Sequence, residues 1–199
     1  MMGGLLSPEW MLAGYRSGIF PMPIEMGWHT ELAWFSPDPR GIVELDELYI
    51  SSRLARRLRR GEFQFSIDRA FSAVVAACAE PRPDDTGRWI TRAMHRAYVA
   101  LHELGVAHSV EVWCGEELVG GTFGLAIGGF FAGESMFHRA TDASKAALFH
   151  LCSHLRDRGF TLFDIQWTTP HTLSLGARGI PRAEYLARLR SAIEMPVAW

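Results

Sequence analysis

His108-Ser109-Val110-Glu111-Val112-Trp113, then Gly115-Glu116-Glu117, then Leu118-Val119-Gly120-Gly121-Thr122-Phe123-Gly124-Leu125-Ala126-Ile127 is the stretch that decides the fold class. Two apolar runs flank a short turn-forming triplet, which is the pattern of a hairpin. Phe130-Phe131-Ala132-Gly133-Glu134 follows as a third strand. A long helix is expected over 143–158, ended by Gly159, then a strand over 161–166. Pro181 opens a last helix. A run of antiparallel strands among helices predicts an α+β fold with a mixed sheet flanked by helices.

Upstream, Ser7 caps a helix that carries Pro8 in its first turn and runs to about Gly18. The next stretch is dense in turn formers, with Pro21, Pro23, Gly27, Pro37, Pro39 and Gly41, and it holds Trp28, Trp34 and Phe35. It reads as a small irregular domain, since linkers are rarely so aromatic. The expected organisation is a small N-terminal domain over 1–50 and a larger domain over 51–199. Within the latter, Ser51 or Ser52 caps a short helix that ends before Gly61, and 63–67 alternates like a strand. Asp68 is expected to cap the following helix. Thr91 caps an amphipathic helix whose Met94, Ala97, Tyr98, Leu101 and Leu104 share one face.

The bulk numbers exclude several classes. Basic and acidic side chains number 20 and 22 in 199 residues, so a protein that coats nucleic acid generally is not expected. Cys78, Cys114 and Cys152 are odd in number and far apart, so no disulfide framework is implied. No apolar run reaches the roughly 18–20 residues of a membrane span, and the start lacks a signal-peptide pattern. No membrane association and a cytoplasmic location are the expectation.

Three constellations carry chemistry. In Phe163-Asp164-Ile165-Gln166-Trp167, strand alternation points Asp164 and Gln166 the same way. An acid inside an apolar strand needs a partner or a cleft, and its oxygen can accept from the Gln166 amide; a pair at an exposed strand end is the plainer account. In Phe130-Phe131-Ala132-Gly133-Glu134-Ser135-Met136-Phe137, one carboxylate lies among aromatics. That suits either a satisfied core acid or an apolar pocket with a charge at its lip. Arg53, Arg56, Arg57, Arg59 and Arg60 crowd one short helix that holds no acid. Such a run is a solvated face or, in a chain of net charge −2, a phosphate-binding face. His102-Glu103 with His108 does not complete the zinc-protease motif, and His150 and His154 lack an evident third ligand, so no metal is expected. The nucleophile elbow and the phosphate loop are both missing from the sequence.

Taken in order, several segments resemble one family, the leucyl/phenylalanyl-tRNA–protein transferases. They are Tyr15-Arg16-Ser17-Gly18-Ile19-Phe20-Pro21, Trp34-Phe35-Ser36-Pro37-Asp38-Pro39-Arg40 and Trp89-Ile90-Thr91-Arg92. His102-Glu103-Leu104-Gly105-Val106-Ala107-His108-Ser109-Val110-Glu111-Val112-Trp113 and Gly133-Glu134-Ser135-Met136-Phe137 continue the set. Ala143-Ser144-Lys145, Asp164 with Gln166, and His171-Thr172-Leu173-Ser174-Leu175-Gly176-Ala177 complete it. The resemblance implies an acetyltransferase-like larger domain. It also implies transfer of leucine or phenylalanine, less readily methionine, from aminoacyl-tRNA to proteins that begin with Arg or Lys. The product is a degradation signal of the N-end rule, and no cofactor is used. It makes Asp164 and Gln166 the catalytic pair and puts Glu134 in the active centre. Phe131, Met136 and Leu148 then line the side-chain pocket, and Trp34 and Trp89 contact the terminal adenosine. Two other readings stand beside it: an acyl-CoA-dependent N-acetyltransferase, whose pyrophosphate loop is not visible, and a non-catalytic binder of tRNA ends.

Overall fold

A computed structural model describes residues 6–27, 29–81 and 89–199. Helix α1 (Pro8–Arg16) starts where Ser7 accepts the Trp10 backbone N–H. Strands β1 (Phe20–Met26) and β2 (His29–Phe35) then pair antiparallel as a separate two-stranded sheet. The proline-rich stretch is thus a regular hairpin and not irregular chain. Pro21 and Pro23 sit two apart, so both missing N–H groups fall on one edge, where a two-stranded ribbon needs no donor. The fold over Trp28 lies outside the described residues.

A seven-stranded mixed sheet forms the centre, in the order β4-β5-β6-β7-β8-β3-β9. Its strands are β3 (Arg40–Val43), β4 (Gln64–Ile67), β5 (Ala107–Cys114), β6 (Glu117–Ile127), β7 (Phe130–His138), β8 (Leu162–Gln166) and β9 (Ala177–Ile180). All neighbours are antiparallel except β7 and β8. The expected hairpin is the β5–β6 pair. Strand β3 comes from the segment expected as the small domain, yet it sits between β8 and β9.

Helices cover both faces. On one lie α1, α3 (Phe71–Cys78), α4 (Arg92–Glu103) and α7 (Arg182–Ile193), with a core built on Met11, Val74, Met94, Tyr98, Phe123 and Leu189. On the other lie α2 (Ser52–Arg59) and α5 (Ala143–Arg158), packed on Val110, Phe131, Leu151 and Phe163. A short α6 (Pro170–Leu173) follows β8. Thr91 caps α4 as expected, but Leu104 is 62% exposed at the helix end rather than on its buried face. Asp68 does not cap α3. It accepts the Ser109 backbone N–H at 2.8 Å and faces His108 Nδ1 at 2.7 Å, joining the end of β4 to β5. His150 stacks on Phe65, and His154 packs against Trp199, so neither histidine is a plain surface residue. No helix among the described residues is long and apolar enough to cross a membrane.

Two register slips shape the centre. Phe123 pairs with Ser135 and Gly124 with Gly133, which leaves Glu134 unpaired on β7. Gly41 pairs with Gln166 and Ile42 with Asp164, which leaves Ile165 unpaired on β8. Such bulges re-aim side chains. The parallel pairing of β7 with β8 covers only residues 130–132 and 162–164. Beyond it the two strands part, and Glu134 and Gln166 stand at the opening.

Candidate active site

Gln166 is the last residue of β8 and has φ +62°, a left-handed conformation that a residue with a Cβ adopts only under constraint. The constraint is visible. The Trp167 N–H closes a tight turn on the Ile165 carbonyl at 2.7 Å. The Gln166 N–H donates to Asp164 Oδ1 at 2.9 Å. Gly41 gives the turn room, because a Cβ there would lie 2.8 Å from the Trp167 carbonyl carbon.

Asp164 is wholly buried and does not face a cleft. The Arg40 guanidinium grips it with two donors, Nε to Oδ1 at 2.8 Å and Nη2 to Oδ2 at 2.6 Å. The Tyr185 hydroxyl donates to Oδ2 at 3.0 Å. Arg40, also fully buried, donates through Nη1 to the Gly18 carbonyl at 3.0 Å and lies over the Phe20 and Tyr185 rings. The expected side-chain contact from Asp164 to Gln166 is replaced by one to the Gln166 backbone. The bulge at Ile165 breaks the simple two-residue alternation and turns the Gln166 side chain away from Asp164.

The Gln166 side chain meets Glu134 instead. Its Nε2 donates to Glu134 Oε1 at 3.4 Å. The Tyr15 hydroxyl donates to the same oxygen at 2.8 Å, and the Tyr98 hydroxyl donates to Oε2 at 2.7 Å. Residues from α1, α4, β7 and β8 thus converge on one carboxyl. Dense surroundings push the Glu134 carboxyl up to about 7 even though the residue borders a cavity, and the tyrosine donors offset only part of that burial. Burial and the Glu134 charge also push both tyrosine hydroxyls well above their ordinary value.

Two cavities meet here. The smaller, about 120 Å³, is lined by Val43, Thr122, Leu148, Phe163, Ile165 and Leu175 among others and is mainly apolar. The larger, about 540 Å³, is lined by Phe20, Met22, Trp89, His138, Ser144 and Trp167 among others. Glu134, Ser135, Met136, Ile165, Gln166 and Thr172 line both, so Gln166 and Glu134 stand at the junction.

Of the residues expected in the pocket, Met136 and Leu148 line the smaller cavity. Phe131 lines neither. It is buried behind the pocket wall, edge-on to Phe163 and stacked on Trp199. Position along the strand is the reason: Phe131 pairs with Phe163 in the closed part of the β7–β8 ladder, while Met136 lies beyond the bulge at Glu134, where the strands have parted. Trp89 borders the larger cavity, but Trp34 does not. Trp34 is packed into α1, where Gly14 admits its ring; a Cβ at Gly14 would lie 2.3 Å from it. Met22 and Trp167 border the space instead.

The arginine cluster divides. Arg57 is tied down by Glu62 at 2.8 Å, by the Thr141 carbonyl and by the Phe63 ring. Arg53 reaches Asp142 at 3.3 Å, and Arg60 reaches Glu62 at 4.0 Å. Arg56 and Arg59 are exposed and have no ion-pair partner among the described residues. None of the five arginines lines either cavity; the link to the larger one is through Asp142, two residues before Ser144. Arg40, Tyr15, Tyr98 and Tyr185 were not singled out from sequence. The available signal was a basic residue closing Ser36-Pro37-Asp38-Pro39-Arg40 and a tyrosine opening the first motif.

A small apolar slot and a wide cleft share one carboxamide, a geometry that can hold a small apolar group and a larger body at once. Residues 42–190 match the family described as "Leucyl/phenylalanyl-tRNA protein transferase", and residues 4–38 match its N-terminal domain. A protein of Aromatoleum aromaticum named leucyl/phenylalanyl-tRNA--protein transferase is 52% identical over 94% of this chain and 78% of its own. One of the same name from Stutzerimonas stutzeri is 50% identical over 98% and 85%. A GCN5-related N-acetyltransferase from Kribbella flavida aligns with 72% of this chain and 55% of its own, at TM-score 0.47 and 12% identity. The chain belongs to the leucyl/phenylalanyl-tRNA–protein transferase family.

Proposed function

We propose that this protein moves leucine or phenylalanine, less readily methionine, from aminoacyl-tRNA to the α-amine of proteins that begin with Arg or Lys. The reaction takes place in the cytoplasm and marks the acceptor for N-end rule degradation. The observation that carries this reading is the junction of the apolar slot and the wide cleft at Gln166. The donor's side chain fills the slot against Met136 and Leu148. Its terminal adenosine lies in the cleft beside Trp89, and the ester between them sits at Gln166.

The donor is an activated ester, so the chemistry needs no cofactor and rests on positioning. The acceptor amine, with an ordinary pKa of about 8, attacks as the free base. A C–N bond forms at the acyl carbon and the C–O bond to the ribose breaks. The proton that the amine loses ends on the ribose oxygen that leaves. Gln166 is no Brønsted base. Its Nε2 is engaged by Glu134, which turns its carbonyl oxygen to the junction as an acceptor for the attacking N–H. Ionised Glu134 holds that amide, and Tyr15 and Tyr98 hold Glu134. Asp164 acts one step back. It fixes the strained Gln166 backbone and is itself fixed by Arg40. The helix carrying Arg53, Arg56, Arg57, Arg59 and Arg60 meets the phosphates of the acceptor stem, chiefly through the unpaired Arg56 and Arg59.

The test is incubation of purified protein with labelled leucyl-tRNA and a peptide starting with Arg. Label in the peptide is the expected result. Turnover of acetyl-CoA, or tRNA binding without transfer, would overturn the reading.

A further inference from the structure

A second cleft, of about 420 Å³, opens between the end of α3 and the start of α4. It is lined by Ala76, Ala79, Glu80, Ile90, Thr91, Arg92, His95 and Arg96. We propose that it is a phosphate-binding channel for the single-stranded 3′ end of the donor tRNA, a site distinct from the α2 arginines. The proposal rests on the tRNA-donor reading above.

The charge balance of the cleft is the first argument. Arg92 and Arg96 are exposed, four residues apart on α4, and neither has an ion-pair or hydrogen-bond partner among the described residues. Like charges at that spacing on a helix repel, so the pair does not serve the helix. The lining acid among the described residues, Glu80, is already held by Arg139 at 2.7 Å. His95 is anchored to Ser72 of α3, which braces the wall. The first turn of α4 adds its backbone dipole to this side, where Thr91 satisfies only the Met94 N–H. Two unpaired guanidiniums beside a neutralised acid suit a phosphodiester, which an arginine grips in fork geometry.

Continuity with the catalytic cleft is the second argument. Trp89, on the wall of the larger cavity, precedes Arg92 by three residues. The two clefts are therefore joined through the chain from Trp89 to Arg92. A chain whose terminal adenosine lies beside Trp89 runs its preceding phosphates past Arg92 and Arg96.

The test uses the full chain and the double variant Arg92→Ala/Arg96→Ala, whose sites are exposed and outside the core. Binding of leucyl-tRNA is read against salt. Transfer is read with three donors: leucyl-tRNA, a leucylated 3′-terminal tetranucleotide and leucyl-adenosine. The variant should lower the salt slope of log K by up to about 1.4, roughly 0.7 for each lost single-strand contact. It should raise KM for the tRNA and tetranucleotide donors about tenfold or more and leave leucyl-adenosine unchanged. Arg92→Lys/Arg96→Lys should restore most of the slope. The proposal is overturned if slope and KM do not move, if leucyl-adenosine suffers equally, or if only intact tRNA suffers. Binding is read apart from transfer. A wild-type chain that transfers nothing, while the variant still loses slope, would sink the reaction and leave the channel standing.

Discussion

Asp164 accepts the backbone N–H of Gln166 at 2.9 Å, and no hydrogen bond joins the two side chains among the described residues. The acid sets the backbone of its neighbour and leaves the carboxamide to Glu134. That division has consequences for substitution. Asp164→Asn keeps volume but leaves the Arg40 charge buried and poorly matched. Removing one partner of a buried pair costs about 3–5 kcal/mol. At roughly 2–4 °C per kcal/mol for a chain of this size, the melting midpoint should fall by roughly 6–20 °C. Transfer, measured well below that midpoint, should fall at least about tenfold. An unchanged melting curve would contradict the buried clamp.

Gln166 stores strain that glycine would relieve. Non-glycine residues in the left-handed region cost roughly 1 kcal/mol or more. Gln166→Gly should therefore melt at or above the wild type and above Gln166→Ala. Both variants should lose transfer by about tenfold to a hundredfold, since both remove the carboxamide proposed to accept from the attacking amine. Calorimetry of the three proteins checks the order. A glycine variant less stable than the alanine variant would mean the turn is not strained.

The fold was legible wherever contacts are local. Two apolar runs around a turn-forming triplet revealed the β5–β6 hairpin, and Ser7, Ser51 and Thr91 marked helix starts through bonds three residues long. The short strands β3 and β9 were not legible, because four-residue strands in Gly- and Pro-rich chain carry too little periodicity. The site was legible as types of residue but not as contacts. Arg40 and Asp164 lie 124 positions apart, and Tyr15 and Glu134 lie 119 apart. Pairing at such distance leaves no trace in spacing. The bulge at Ile165 then reversed a side-chain direction that strict alternation assigns, and this misplaced the Asp164–Gln166 contact.

Glu134 makes stability fall with pH. Its carboxyl is raised from 4.5 to about 7 on folding, so the folded chain holds the proton more tightly than the unfolded chain. Between those values the folded state binds more protons, and stability drops as pH rises through the window. Gln does not titrate. The melting midpoint of Glu134→Gln minus that of the wild type should become more positive from pH 5 to pH 8 and then level off. A fixed offset from the altered tyrosine bonds does not change that slope. The wild-type acid limb of kcat/KM should carry two ionisations, the amine and Glu134, and the variant only one. A pH-independent difference in melting would show that Glu134 titrates normally.

Leu148 tests the slot. It comes from α5 and is nearly buried on the wall of the smaller cavity, opposite strands that carry Val43 and Phe163. Enlarging it to Phe removes room from a space of about 120 Å³, and the larger donor side chain should lose most. Each methylene in such a pocket is worth only about 1–3 kcal/mol, or roughly 10–200-fold. Leu148→Phe should therefore lower phenylalanyl transfer by about tenfold or more relative to leucyl transfer. Leu148→Ala should shift the ratio the other way while destabilising the fold by about 2–5 kcal/mol, as truncation of a packed leucine does. Valyl-tRNA should remain poor in both, because its branch at Cβ meets the mouth at Met136 and Ile165 before reaching the slot. The measurement is competition between the two labelled donors for one Arg-peptide, which cancels differences in folded fraction. If both variants leave the leucine-to-phenylalanine ratio where it was, the donor side chain does not occupy this cavity, and the larger cleft must hold it instead.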